Sequence, residues 1–211
     1  MNAPRPRSPR KPKGQGAERR EEILAAALKL FTEFGVYAVS TRQIAQAVGI
    51  SQPTLYAYFP TKDDIGRELH GRAFELLARR LADGEHGPVD SPACMAAMLR
   101  VYVDFGLENP DMYRIAFMSE TREVKNWWEQ RDIALSPSTQ STYGVLRAEI
   151  AKLHARGLTV DLDPEAITQS VWSSMHGLVS LLIAKPGFPW VDRRLLIENH
   201  LAAVVRGVWR P

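Results

Sequence analysis

Apolar positions recur at three- and four-residue intervals along most of the chain, and helices are predicted almost throughout. The first runs from about Arg19 to Phe34, with Ile23, Ala27, Leu30, Phe31 and Phe34 on one stripe. Two short helices follow, one opened by Ser40 with Ile44, Ala45 and Val48 inward, the other from about Gln52 to Phe59 with Leu55 and Phe59 inward. A long helix from Thr61 to about Ala82 turns Leu69, Phe74, Leu77 and Leu81 inward, and Ala82 to Asp90 is a loop. Ser91-Pro92, Asn109-Pro110 and Asp163-Pro164 each place a capping side chain before a proline at the first turn, so each opens a helix. Residues 120–138, with Trp127 and Trp128 ahead of Ser136-Pro137, carry no clear period; a helix then runs to about Ala155 and Gly157 to Asp163 is a turn. The helix from Pro164 ends near Ala184, and Val191 to Trp209 is the last.

The two short helices are joined in a manner that local chemistry dictates. Ser40 with Gln43 three residues on is a capping box, Gly49 supplies a left-handed residue at the helix end, and Ser51 caps a helix whose first turn holds Pro53. Ile50 falls into the angle between them, as in a helix-turn-helix. With about 100° per residue, Leu55 and Phe59 share the buried side, Pro53, Thr54 and Ala57 face away, and Tyr56 and Tyr58 lie on opposite flanks. Such residues would also suit an ordinary surface hairpin. Laid in a major groove, Arg42 has a fork matching guanine O6 and N7, Gln52 can pair with an adenine edge, and Pro53 or Thr54 can touch a thymine methyl. Thr41, Tyr56, Tyr58 and Lys62 can only position the protein, through phosphates.

Residues 19–65 resemble the DNA-binding domain of the TetR family of bacterial transcriptional regulators. The likeness rests on Phe31 to Gly35, Thr41 with Ile44 and Ala45, Gly49-Ile50-Ser51, Leu55-Tyr56, Tyr58-Phe59 and Lys62. It implies an all-α homodimer: an N-terminal three-helix helix-turn-helix DNA-binding domain plus a larger helical ligand-binding and dimerisation domain, here residues 66–211. It also implies a palindromic double-stranded operator whose affinity a small-molecule effector changes. By the same resemblance Arg42, Gln52, Pro53 and Thr54 match base-contacting positions, and Thr41, Tyr56, Tyr58 and Lys62 match phosphate-contacting ones. Tyr58 stands where many members carry His.

From Val171 to Ala184 the penultimate helix is apolar nearly all round and must be buried on two sides. The last helix, with Leu195, Leu196, Ala202, Val205 and Val208, offers a second apolar surface. The family's last two helices build a four-helix bundle with their copies, so the resemblance implies a seam at Leu181, Leu182 and Val205. Met98, Tyr102, Phe105, Tyr113, Phe117, Trp172, Met175 and His176 are candidates to line a site for an apolar or aromatic effector, while the same thioethers and rings also suit plain core packing.

Composition refines this picture in three places. The net charge is +3, yet Arg5, Arg7, Arg10, Lys11 and Lys13 alone exceed it, so the rest of the chain is net negative. Interleaved with Pro4, Pro6, Pro9 and Pro12, residues 1–18 are expected to be a disordered basic arm: either a bare extension or one that follows the DNA backbone. Cys94 is the single cysteine, which excludes an intramolecular disulfide, and the five histidines lack metal-ligand spacing. Asp161 and Asp163 fit a turn and a cap. No glycine-rich phosphate loop, nucleophile elbow or triad is present, so no enzyme, cofactor or metal is expected. The longest apolar run, Leu178 to Ala184, is too short to span a bilayer, and a cytoplasmic location is expected by elimination. Beside the ligand-responsive repressor stands a DNA-binding architectural protein without an effector, and more remotely a small-molecule enzyme or carrier.

Overall fold

A computed structural model describes residues 16–83, 89–118 and 137–210 of the 211, and these are helical with a single isolated bridge between Thr159 and Trp209. The helices are α1 (Gly16–Phe34), α2 (Thr41–Val48), α3 (Gln52–Tyr56), α4 (Lys62–Asp83), α5 (Pro92–Glu108) and α6 (Pro110–Tyr113), the last continuing as a π-helical turn over Arg114–Met118. Then follow α7 (Pro137–Ala155), α8 (Pro164–Ala184) and α9 (Arg193–Val208). The expectations for residues 1–15 and for most of 120–138 lie outside the described residues. Two compact units divide the chain: residues 16–73 with 111–118, and 74–83, 89–110 and 137–210.

In the first unit Ile23, Leu24, Ala27 and Phe31 of α1 meet Ile44 and Ala45 of α2, Leu55 and Phe59 around α3, Ile65 and Leu69 of α4, and Ile115. Val48, Ile50 and Tyr58 pack on its edge, so Ile50 does lie between the two short helices. Phe34 does not join the stripe predicted for it. It is the final residue of α1 and is 54% exposed. Burial on α4 also pushes the His70 imidazole down to about 4, because the charged form loses its hydration there.

In the second unit α5, α7, α8 and α9 pack on one another. Met95, Met98, Val103 and Phe105 of α5, Ile150 and Leu153 of α7, Val171, Met175 and Val179 of α8, and Ile197 and Leu201 of α9 fill its core. The end of α9 is tied to the α7–α8 turn by Val160 N–H donating to Val208 O and Arg210 N–H donating to Leu158 O, at 2.9 and 2.8 Å. Helix α9 begins at Arg193, two residues later than the apolar pattern placed it, because the Asp192 carboxylate caps it by accepting from Leu195 N–H at 2.9 Å.

Candidate nucleic-acid interface

The turn between α2 and α3 is fixed by caps at every end. Ser40 Oγ accepts from Gln43 N–H while Ser40 N–H donates to Gln43 Oε1, which completes the capping box. Gly49 closes α2 at φ 75° and ψ 27°, with Gly49 N–H donating to Gln46 O and Ile50 N–H to Ala45 O. This pair of bonds is a Schellman motif, and its left-handed residue favours glycine. Ser51 Oγ then accepts from Thr54 N–H at 3.2 Å and opens α3 with Pro53 in its first turn. Regular helix ends at Tyr56, short of the predicted Phe59. Tyr58 and Phe59 still bond back to Leu55 O, but Pro60 excludes the helical region for the residue before it and stops propagation.

These caps leave Arg42, Pro53, Thr54 and Tyr56 exposed and Thr41, Gln52, Tyr58 and Lys62 half-buried. Arg42 makes no ion pair among the described residues, so its guanidinium is available to a partner. Gln52 Nε2 donates to Thr41 Oγ1 and to the Tyr56 hydroxyl, at 3.1 and 3.2 Å. Hydrogen bonds from Thr41 and from Gln52 hold the Tyr56 phenol below its ordinary pKa, consistent with a hydroxyl that accepts.

Lys62 departs from the simple picture of a phosphate contact. Its Nζ donates to Val36 O at 2.7 Å and Val39 O at 2.9 Å, which engages two of its three N–H donors on the loop before α2. Neighbouring α3, Arg20 of α1 lies over the Phe59 ring at 4.1 Å, donates to Tyr58 O at 2.9 Å and pairs with Glu68 of α4. Arg72 joins the same brace, bridging Glu21 and Glu68 at 2.5 to 2.7 Å. Sequence reasoning missed this brace. The i,i+4 pair of Glu68 and Arg72 was its one local sign.

The eight candidate effector residues are divided between the two units. Tyr113 and Phe117, with ring centroids 4.8 Å apart, belong to the first unit, and the other six to the second. Met98, Tyr102, Phe105 and Met175 are buried core side chains. Trp172 and His176 are half-buried on α8 in a ring series, Tyr143 meeting Trp172 edge-on at 6.0 Å and Trp172 meeting His176 at 6.4 Å. Burial lowers the His176 pKa, which favours the neutral ring. The Tyr143 hydroxyl donates to Glu165 at 2.6 Å, and its pKa is pushed up to about 12 by burial and by that carboxylate. Tyr143 and Glu165 escaped the sequence reading, although Glu165, Gln169, Trp172 and His176 recur at four- and three-residue steps along one face.

The three residues expected at the seam differ in exposure. Leu182 and Val205 are 2% and 4% exposed, so they are core residues of their own subunit with almost no surface left to share, whereas Leu181 is 49% exposed. Consecutive residues of a helix point about 100° apart, which is why one leucine is core and its neighbour is not.

Residues 23–69 match the profile described as "Bacterial regulatory proteins, tetR family", and residues 95–204 match "Tetracyclin repressor-like, C-terminal domain". The chain belongs to the TetR family. The family is one of bacterial regulatory proteins, and residues 23–69 carry its helix-turn-helix DNA-binding domain. Among curated relatives, the nucleoid occlusion factor SlmA of Haemophilus ducreyi is 30% identical over 119 residues, 54% of this chain and 59% of that protein. The transcriptional activator FasR of Mycolicibacterium smegmatis is 24% identical over 147 residues, 67% of each chain. The chain thus spans about 59% of the length of the first of these relatives. Two solved structures share the fold. A tetR-family regulatory protein from Rhodococcus RHA1 has TM-score 0.72 at 19% identity, covering 90% of this chain and 97% of that one. The ketosteroid regulator KstR2 of Mycobacterium tuberculosis has TM-score 0.70 at 20% identity, covering 95% and 100%. No helix among the described residues is long and apolar enough to cross a membrane.

Proposed function

We propose that this TetR-family protein is a ligand-responsive repressor that binds a palindromic operator as a homodimer and is released by a small apolar or aromatic effector. One observation carries the DNA-reading half: Arg42, Gln52, Pro53 and Thr54 stand together on the solvent side of a capped helix-turn-helix whose other side is core. Arg42 and Gln52 read base edges, Pro53 and Thr54 contact a thymine methyl, and Thr41, Tyr56, Tyr58 and the remaining donor of Lys62 position the protein on phosphates. The half-buried series of Tyr143, Trp172 and His176 supports an aromatic effector site in the second unit. The exposed residues Ser170, Ser173, Leu181 and Ala184 follow one face of α8 and, with exposed Leu195 on α9, support a homodimer seam there. Two-fold symmetry of the protein then requires a palindromic site.

Effector and operator compete because each prefers a different arrangement of the dimer, so each weakens the binding of the other by the same factor. Binding-site selection tests the reading directly. Gln52→Ala and Arg42→Ala should each lose about 1–3 kcal/mol, chiefly at one base position per half-site. Base preferences identical to wild type in both variants would overturn the assignment. A second reading, a DNA-binding protein without effector, is favoured by the likeness to a nucleoid occlusion factor. Thermal melting against an apolar and aromatic ligand set separates the two, since a bound ligand raises the melting temperature with its concentration.

A further inference from the structure

The Gln52 amide, the Thr41 hydroxyl and the Tyr56 hydroxyl form a closed triangle on the DNA-facing side. Gln52 Nε2 lies 3.1 Å from Thr41 Oγ1 and 3.2 Å from the Tyr56 oxygen, and those two oxygens are 3.2 Å apart. Sides so nearly equal make an angle of about 60° at the nitrogen, whereas the two N–H bonds of a primary amide diverge by about 120°. The two oxygens therefore hold the amide nitrogen from one side, closer together than its two N–H bonds diverge. The carbonyl Oε1 keeps no partner among the described residues. It is an acceptor aimed by the held amide, of the kind that the adenine N6 amino group requires.

The terminal torsion of a free glutamine is broad, and an untethered amide offers either edge to the groove. Here two hydroxyls from different helices hold it, Thr41 from the start of α2 and Tyr56 from the end of α3. The loss of rotamer freedom is met when the protein folds, before DNA arrives. One hydroxyl of the pair donates to the other, so one O–H proton is still free for a phosphate. Where Thr41 is the donor that proton belongs to Tyr56, and positioning of Gln52 is then compatible with contact to the DNA backbone.

We infer that Tyr56 is a specificity-determining positioning residue: with Thr41 it fixes the orientation in which the Gln52 amide meets its base. The inference rests on the proposed reading of Gln52 as a base contact. It differs in outcome from a simple phosphate contact, which weakens every sequence alike.

The test uses the full-length protein and random duplex DNA. Selection with wild type and Gln52→Ala identifies the base position that Gln52 controls. Fluorescence anisotropy then measures the ratio of affinities for the selected duplex and for one altered at that position alone. Tyr56→Phe should reduce this ratio by about three- to tenfold, the worth of one hydrogen bond, while preferences at other positions persist. Thr41→Val should reduce the same ratio. In the Gln52→Ala background, adding Tyr56→Phe should leave base preferences unchanged. If Gln52→Ala shifts the preferences but Tyr56→Phe lowers affinity uniformly with the ratio intact, the inference alone is overturned. If Gln52→Ala leaves preferences as in wild type, the reading of Gln52 fails and takes the inference with it.

Discussion

The Nζ of Lys62 lies 2.7 Å from the carbonyl oxygen of Val36, across 26 residues of sequence. Since it also reaches Val39 O, the lysine at the start of α4 closes the loop that delivers the chain to α2. An ammonium bonded to carbonyls contributes to folding as well as to any meeting with DNA.

Lys62→Met should therefore lower stability by about 1.5–3 kcal/mol in urea unfolding, the range for a hydrogen bond to a charged group. A lysine that served phosphates alone would leave the unfolding midpoint unchanged. It would then act only on affinity and on its salt dependence, by about 0.9 in the logarithmic slope.

His70 makes stability depend on pH. Its folded pKa of about 4 lies below the ordinary 6.5, so between these values the unfolded chain binds more protons and stability rises with pH. The penalty is absent above about pH 6.5, grows as the pH falls, and is complete near pH 4, at about 3 kcal/mol. His70→Gln should flatten the urea midpoint across this window, leaving the slope due to His176. The carboxylates of Glu21, Asp64 and Glu165 are held low by their partners and lose their contribution at lower pH still. An unaltered pH profile in His70→Gln would refute the assignment.

Charge scanning of the proposed seam should separate surface from core. Leu181→Glu should give a folded monomer by sedimentation and circular dichroism, with operator affinity reduced because one half-site is engaged alone. Leu182→Glu and Val205→Glu should unfold their unit instead, since each would bury an unpaired charge. A fully dimeric Leu181→Glu variant would move the seam elsewhere.

Deleting residues 1–15 should leave folding intact and reduce the salt dependence of DNA binding, by about 0.9 in slope for each of the five basic residues that neutralises a phosphate. An unchanged slope would make the segment a bystander.

What the sequence disclosed was local. Ser40 with Gln43, Gly49, Ser51 with Pro53 and Asp163 with Pro164 act within four residues, so spacing alone places the helix ends they define. Helix existence and the all-helical class followed from the apolar period, and the reading face followed from the buried pair Leu55 and Phe59. The rest depended on distant chain. Lys62 meets Val36, Arg20 meets Tyr58 and Tyr56 meets Thr41 at separations of 26, 38 and 15 residues, which no local period encodes. On α8, apolar nearly all round, composition could not say whether Leu181 or Leu182 faced inward.

Arg20 has a consequence for which substitutions this protein tolerates. Its guanidinium simultaneously covers the Phe59 ring, donates to Tyr58 O and pairs with Glu68, using a planar fork that an ammonium lacks. Exchanging it for lysine keeps the charge but can satisfy only part of that set at once. A substitution ranked as mild by chemical similarity would therefore loosen the end of the recognition hairpin, while a drastic one at exposed Phe34 would pass almost unnoticed. Natural variation in this protein should run against similarity scores at these two positions, with arginine held at 20 and wide drift at 34.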